Sequence, residues 1–264
     1  MLVLPDDIYA CDMHIHTDFS DGSDSPGEAV RWAADCGMKC VAVTDHDDVR
    51  GVAEACKAAE ELGMEFHTGV EFSADYEGVG LHILGYDIDI EDDGIRSACK
   101  KAMERRRARN EKLMAVMEKE YGITVEDIKR EAQTDYIGKP HMAAAMIKHG
   151  AASSKEEVFE KIFSKPQFAS IKKEDPKADE VINVIKDAGG TPVLAHPGKI
   201  RGIGSKGSPE FWENFENILL ELMRKGLEGL ECVHKDHRPQ DAEKFISIAN
   251  RYGLVVTRGS DHHG

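Results

Sequence analysis

Short apolar runs rich in β-branched residues recur along the chain and alternate with stretches of helical periodicity. The runs at 9–14, 40–45, 65–71, 79–86, 191–196, 227–232 and 254–260 read as seven strands. Helix boundaries fall between them. Ser25-Pro26-Gly27-Glu28 has a capping serine, a proline suited to the first turn and a glutamate that completes a capping box. Gly37, Gly63, Gly189 and Gly253 each end a helix just before the next strand. From 92 to about 176 the strand pattern stops and charged helical stretches take over, at 94–121, 125–133, 141–149 and 155–163. The pattern therefore predicts an α/β fold: a distorted (β/α)7 TIM-like barrel of parallel strands formed by 1–91 and 177–264, with 92–176 as an inserted helical subdomain. Function in such barrels gathers at the C-terminal ends of the strands.

Composition narrows the function classes. The 264 residues are 41% hydrophobic and 31% charged, without an apolar run long enough to span a bilayer. An N-terminus carrying Asp6 and Asp7 lacks the basic start and apolar stretch of a signal peptide, so a cytoplasmic protein is expected. A net charge of −15 argues against a duplex nucleic-acid or membrane surface but leaves small or single-stranded anions open, because bound cations can make a pocket locally positive. The six cysteines are scattered without a C-x-x-C pair and read as reduced packing thiols.

The candidate chemistry lies at the strand ends. His14 and His16 close the first strand, Asp45 and His46 the second and Glu71 the third; His82 lies on the fourth. The later strands lead into His196, His234 and Asp261-His262-His263. One histidine alone is more often a hydrogen-bonded core or surface residue, but this set gathers most of the twelve histidines where a barrel collects its ligands. Imidazole and carboxylate together suit Zn, Mn or Fe. In His14-Ile15-His16 the alternation of an extended strand turns both rings to one side.

These segments resemble the PHP (polymerase and histidinol phosphatase) superfamily. The similarity is carried by Asp12-Met13-His14-Ile15-His16-Thr17 with Ser20-Asp21-Gly22, Val43-Thr44-Asp45-His46-Asp47, Gly69-Val70-Glu71, His82-Ile83-Leu84-Gly85-Tyr86, Ala195-His196-Pro197 and Gly259-Ser260-Asp261-His262-His263-Gly264. The resemblance implies a phosphoesterase with two or three divalent ions, Mn2+, Fe2+ or Zn2+. It implies a first ion held by His14, His16, Glu71 and Asp261, with Glu71 bridging to a second held by His82 and His196. A third would take Asp21, His46 and His263. His262 stands where the family usually has an aromatic or small residue, and the family usually runs a little past the position of Gly264.

Such a centre is expected to hydrolyse a phosphate ester by a metal-bridging hydroxide, with Asp261 and Glu71 as catalytic residues. The expected substrate is a nucleotide, a short RNA or another small phosphorylated metabolite, and the helical insert together with Lys139-Pro140-His141 is similar to the nucleotide-hydrolysing branch. Lys139, His141, His234, His237 and Arg258 are candidate contacts for its phosphate. The basic run from Lys100 to Arg109 reads as a solvated helix face. Trp32 and Trp212 read as helix-to-barrel packing. Histidinol-phosphate phosphatase and a non-catalytic metal-binding module are the alternatives. A carbon–nitrogen amidohydrolase would expect a bridging lysine where Glu71 stands.

Overall fold

The computed structural model describes every residue except Met1, Asp6 and 133–135. Seven strands lie side by side in chain order: β1 (Cys11–Ile15), β2 (Cys40–Val43), β3 (Glu65–Tyr76), β4 (Val79–Tyr86), β5 (Thr191–Leu194), β6 (Gly229–His234) and β7 (Val255–Gly259). The last strand returns to the first at one end, where Ile15 pairs with His262, His16 N–H donates to the His262 carbonyl and Asp261 N–H to that of His14. The result is a nearly closed barrel. No helix among the described residues is long and apolar enough to cross a membrane.

One strand departs from the parallel expectation. β4 runs antiparallel to both β3 and β5, whereas the other neighbouring pairs are parallel. The reason is local: β3 continues to Tyr76 and turns back through Glu77 and Gly78 alone, both at positive φ (50° and 87°). That is the backbone of a tight hairpin, while a parallel return needs a crossover of about a dozen residues. Because β4 is reversed, His82 reaches the ligand end from the first half of its strand.

The helices α1 (Pro26–Asp35) and α2 (Val52–Leu62) follow β1 and β2. After β4 come α3 (Asp93–Tyr121), α4 (Val125–Ala132), α5 (Lys139–Lys148), α6 (Lys155–Glu157) and α7 (Pro166–Ala169), then α8 (Ala178–Asp187), α9 (Pro209–Arg224) and α10 (Pro239–Tyr252). The capping box predicted at Ser25 is present, with its hydroxyl accepting from Glu28 N–H. Gln133, expected to end the second insert helix, lies outside the described residues. α9 buries Phe211, Phe215, Leu219 and Leu222, the spacing of one helix face, against Phe245 of α10. Trp212 joins that contact between helices, its ring centre 4.9 Å from that of Phe245.

Inside the barrel Met13, Cys40, Ala42, Leu84, Tyr86, Val193 and Ala195 form one buried cluster. Tyr86 satisfies its hydroxyl by donating to the Met13 carbonyl at 2.7 Å. The larger aliphatic side chains among them, Met13, Leu84 and Val193, each contribute about 1.5–3 kcal/mol when fully buried. The helices of 92–176 bury a cluster of their own, including Leu113, Met117, Met142, Met146, Val158 and Phe163. They are also tied to the barrel by charge. Asp47 accepts from Arg106 of α3 at 2.5 Å and from Lys173 at 3.3 Å, all three side chains being at least largely buried. The basic run is thus not wholly solvated, since Arg106 turns inward.

Candidate metal centre

The nine expected ligands converge at the end of the barrel where β7 meets β1. Donor atoms come within 4.8 Å of one another in the groups His14–His16–Asp261, His14–Glu71–His196, His46–Glu71–His82 and His16–Asp21–His46–His263. Glu71 sits at the middle. Its Oε1 is 2.8 Å from His196 Nε2, 3.0 Å from His82 Nδ1 and 3.4 Å from His14 Nε2. Its Oε2 is 2.8 Å from His46 Nδ1 and 3.4 Å from His16 Nε2. Asp261 Oδ1 lies 3.4 Å from His16 Nε2, and Asp21 Oδ1 lies 3.3 Å from His263 Nε2. Strands and loops from both ends of the chain therefore feed one cage.

The donor atoms fit cations better than they fit one another. His14 Nε2 and His16 Nε2 face each other at 3.1 Å in full burial. Asp21 Oδ1, His46 Nδ1 and Glu71 Oε2 are buried without a hydrogen-bonding partner; the last two lie 2.8 Å apart but are not aligned as a hydrogen bond. Such orphaned atoms are rare and costly, and a metal ion satisfies them together. Charge balance agrees. Burial opposes the Glu71 carboxylate, yet His82, His46 and His14 hold it well below the usual range. Burial lowers His16 to about 3 and His196 to about 4, so both rings stay neutral and ready to donate. Burial also disfavours the charged forms of His14 and His46, but Glu231 and Glu71 raise the first, and Glu71 and Asp21 the second.

The backbone is held in rare conformations here. His196 (φ 25°), Asp261 (φ 51°) and Asp47 (φ 56°), which follows His46, are three of the five non-glycine residues at positive φ among those described. Each such residue costs on the order of 1–3 kcal/mol and persists where its surroundings enforce it.

Several supporting residues lay beyond the sequence reading. Glu231, fully buried on β6, contacts His14 Nδ1 at 2.9 Å and accepts His196 N–H at 2.6 Å. A glutamate inside the apolar run Leu230-Glu231-Cys232 was the available signal. Asp45 is not in the cage; it accepts from Thr17 N–H, the Thr17 hydroxyl and the Ser20 hydroxyl, fixing the loop that carries Asp21, and burial raises its carboxyl to about 6. Lys199 Nζ lies 2.9 Å from Asp261 Oδ2, and Lys235 donates to the Asp261 carbonyl.

The candidate phosphate contacts divide. His234 Nε2 lies 3.2 Å from Asp261 Oδ2. Lys139 lines a cavity of about 520 Å3 with His46, His82, Arg106, Arg109 and Lys172. His141 lines a second, of about 650 Å3, with Asp21, Lys155, Lys199, Lys235 and Asp261. His237 is not brought to the cage: its Nδ1 donates to the Cys232 carbonyl and its Nε2 accepts from Gly198 N–H, which uses both ring nitrogens on backbone. Nor is Arg258, whose guanidinium reaches the Cys11 carbonyl and Met38 Sδ, because it alternates with the inward-facing Thr257 and Gly259 and points outward. His262 also stays outside, stacked on Trp32 with ring centres 3.6 Å apart and Nε2 3.0 Å from Asp24 Oδ2.

Comparison with known proteins agrees with this geometry. Residues 12–228 match the PHP domain family. The chain is 31% identical to the phosphoribosyl 1,2-cyclic phosphate 1,2-diphosphodiesterase of Eggerthella lenta over 96% of this chain and 94% of the relative. It is 29% identical to the 3′,5′-nucleoside bisphosphate phosphatase of Chromobacterium violaceum over 96% and 86%. A solved structure described as a metal-dependent phosphoesterase, from Bifidobacterium adolescentis, superposes with a TM-score of 0.83 at 32% identity, covering 96% of this chain and 87% of that one.

Proposed function

This chain belongs to the PHP-domain family and is a hydrolase of phosphoester bonds, and from that premise we propose that it cleaves a nucleotide, a short oligonucleotide or another small phosphorylated metabolite at the cage around Glu71. In this reading two or three ions of Mn2+, Fe2+ or Zn2+ are held, one by His14, His16, Glu71 and Asp261, one by Glu71, His82 and His196, and one by Asp21, His46 and His263. The observation that carries it is Glu71 itself, whose two buried oxygens each face histidines from different strands. When bound, divalent cations supply a nucleophile from water at neutral pH and clamp the phosphate oxygens.

The protein's own groups do the rest. Glu231 orients His14 and the backbone of His196. Asp261 accepts the proton of the attacking water, and His234, whose Nδ1 accepts from Asp236 N–H, turns its Nε2–H to Asp261 Oδ2 at 3.2 Å and orients that carboxylate. Lys199 and Lys235, both beside Asp261, neutralise phosphate oxygens at the mouth, while Arg109, Lys139 and Lys172 favour a further anionic part of the substrate. Cavities of this size suit a small molecule or a single strand rather than a duplex. The helices of 92–176 form a subdomain that roofs both cavities. The names of the two relatives, a cyclic phosphate diesterase and a nucleoside bisphosphate phosphatase, support a substrate of this class. The free cysteines support a cytoplasmic setting.

The test is hydrolysis by Mn-loaded protein, read as phosphate release from AMP, 3′,5′-bisphosphorylated adenosine and histidinol phosphate and as mononucleotide release from short RNA, with metal content measured in parallel. Turnover of a nucleotide or RNA, abolished in a folded His14→Ala or Glu71→Ala variant, is the expected result. Turnover of histidinol phosphate alone would redirect the assignment to that phosphatase. Full metal occupancy without hydrolysis of any of them would favour a non-catalytic metal-binding module.

A further inference from the structure

The barrel interior has a second cluster of ligand-type side chains, at the floor opposite the cage. In the parallel register of β1, β2 and β3, Cys11 stands beside Cys40 and Cys40 beside Glu65. His67 follows Glu65 by two residues and shares its face. A Cys40, a Glu65 and a His67 donor atom lie within 4.8 Å of one another. The Cys11 thiol donates to the Asp7 carbonyl at 3.9 Å, and the Cys40 thiol donates to Met13 Sδ at 3.7 Å. Three to five strand residues separate this row from His14 and His16, roughly 10–17 Å at about 3.3 Å per residue.

Packing explains only part of this. Buried cysteine and methionine behave as small hydrophobes, which accounts for Cys11, Met13 and Cys40. It does not account for His67. That side chain is only 9% exposed, its Nδ1 is held at 2.7 Å by Asp87 Oδ1, and its buried Nε2 lies 3.5 Å from Glu65 Oε1 with no hydrogen-bonding partner. A carboxylate behind one nitrogen with the other left open is the arrangement that orients a metal-binding histidine. Thiolate, imidazole and carboxylate together form a zinc-type donor set. Burial raises the Cys40 thiol, and a coordinated cation reverses that by stabilising the thiolate. Glu65 and Asp87, about half exposed, give the cluster a path to solvent.

We propose that the barrel floor is a second metal site, in which Cys40, His67 and Glu65, with Cys11 as fourth donor, hold one zinc-class divalent cation that fastens the starts of β1, β2 and β3. It is separate from the phosphoesterase cage, whose ligands include no sulfur, and this makes it measurable alone. Cobalt(II) bound by thiolate gives a near-ultraviolet charge-transfer absorption that cobalt in a histidine–carboxylate cage lacks. Reduced, metal-free protein titrated with Co2+ should develop that absorption to one equivalent per chain. Cys40→Ala should cut it by half or more, and His67→Ala should weaken cobalt binding at the floor at least tenfold, while Mn-supported phosphoester hydrolysis persists in both. Should Cys40→Ala fail to fold, Glu65→Gln at the half-exposed position should keep the absorption but shift its midpoint to higher cobalt. Wild-type protein that fills its cage with cobalt and never shows the absorption would overturn the proposal, as would an absorption unchanged in Cys40→Ala and Cys11→Ala.

Discussion

Glu231 Oε1 lies 2.9 Å from His14 Nδ1, and this contact decides which nitrogen of the ring serves the cage. Burial opposes the Glu231 carboxylate, but His14 and the neighbouring histidines keep it below its usual range, so it is an acceptor only. His14 Nδ1 must then carry the hydrogen, and Nε2 is the one that faces Glu71, His16 and Asp261. Removing such a supporting carboxylate typically costs about 10–100-fold in metal affinity or activity. Glu231→Ala should therefore weaken Mn2+ binding by that factor in a folded protein, read by metal titration alongside circular dichroism. An affinity equal to wild type would show that the ring needs no such support.

The tie between Asp47 and Arg106 predicts a stability effect. Arg106→Met leaves Asp47 buried, with Lys173 at 3.3 Å to balance its charge. Breaking a buried pair from one side costs about 3–5 kcal/mol, and Lys173 should hold the loss to the lower part of that range. Urea unfolding of the metal-free protein should report it. Hydrolysis should fall as well, because Asp47 adjoins His46, a proposed ligand.

Lys199 and Arg258 make a paired prediction. Lys199, on Asp261 at the cavity mouth, should contribute one charge-assisted contact to a phosphate oxygen, about 1.5–3 kcal/mol, so Lys199→Ala should lower kcat/KM roughly ten- to a hundredfold. Arg258→Ala should leave kcat/KM within about threefold, because its partners are the Cys11 carbonyl and Met38. Steady-state kinetics on the best substrate of the panel distinguishes the two, and the reverse order would require redrawing the mouth of the site.

Metal loading should be pH-dependent with a definite sign. In the metal-free cage His14 and His46 are held above the ordinary histidine value, so they bind protons that a cation must displace. His16 and His196, lowered to about 3 and 4, have none to lose near neutrality. Mn2+ affinity should thus rise with pH, with proton release measurable by calorimetry in buffers of different ionisation enthalpy. For the metal-free protein the linkage runs the other way: the stabilising contribution of His14 and His46 is complete below about pH 6.5 and is lost as pH rises through their raised values. Proton-independent Mn2+ binding would contradict this account.

Most of the cage was legible because its chemistry sits at strand ends. His14-Ile15-His16, Asp45-His46 and Asp261-His262-His263 combine strand periodicity with residue types that rarely cluster, and the barrel and the helical stretch come from the same periodicity. What the pattern could not carry is direction and shell. An antiparallel β4 has the same alternation as a parallel one, and only the two-residue turn at Glu77-Gly78 betrays the reversal. Asp45 has the same position after its strand as a ligand would, yet Thr17 and Ser20 consume its oxygens. Arg258 and His237 show the same limit, since facing and hydrogen-bond partners depend on residues far away in sequence.

The seam of the barrel has a consequence for how the protein is held together. The amide of His16 and the amide of Asp261 each bridge first and last strands, and their side chains are opposed across the same gap at 3.4 Å. A cation held by both, as proposed, would act as a clasp on the ring, so that closing the β-sheet and assembling the catalytic apparatus would become one event. Amide exchange at these two positions should then slow in step with metal occupancy, faster rim and tighter grip being opposite readings of a single equilibrium.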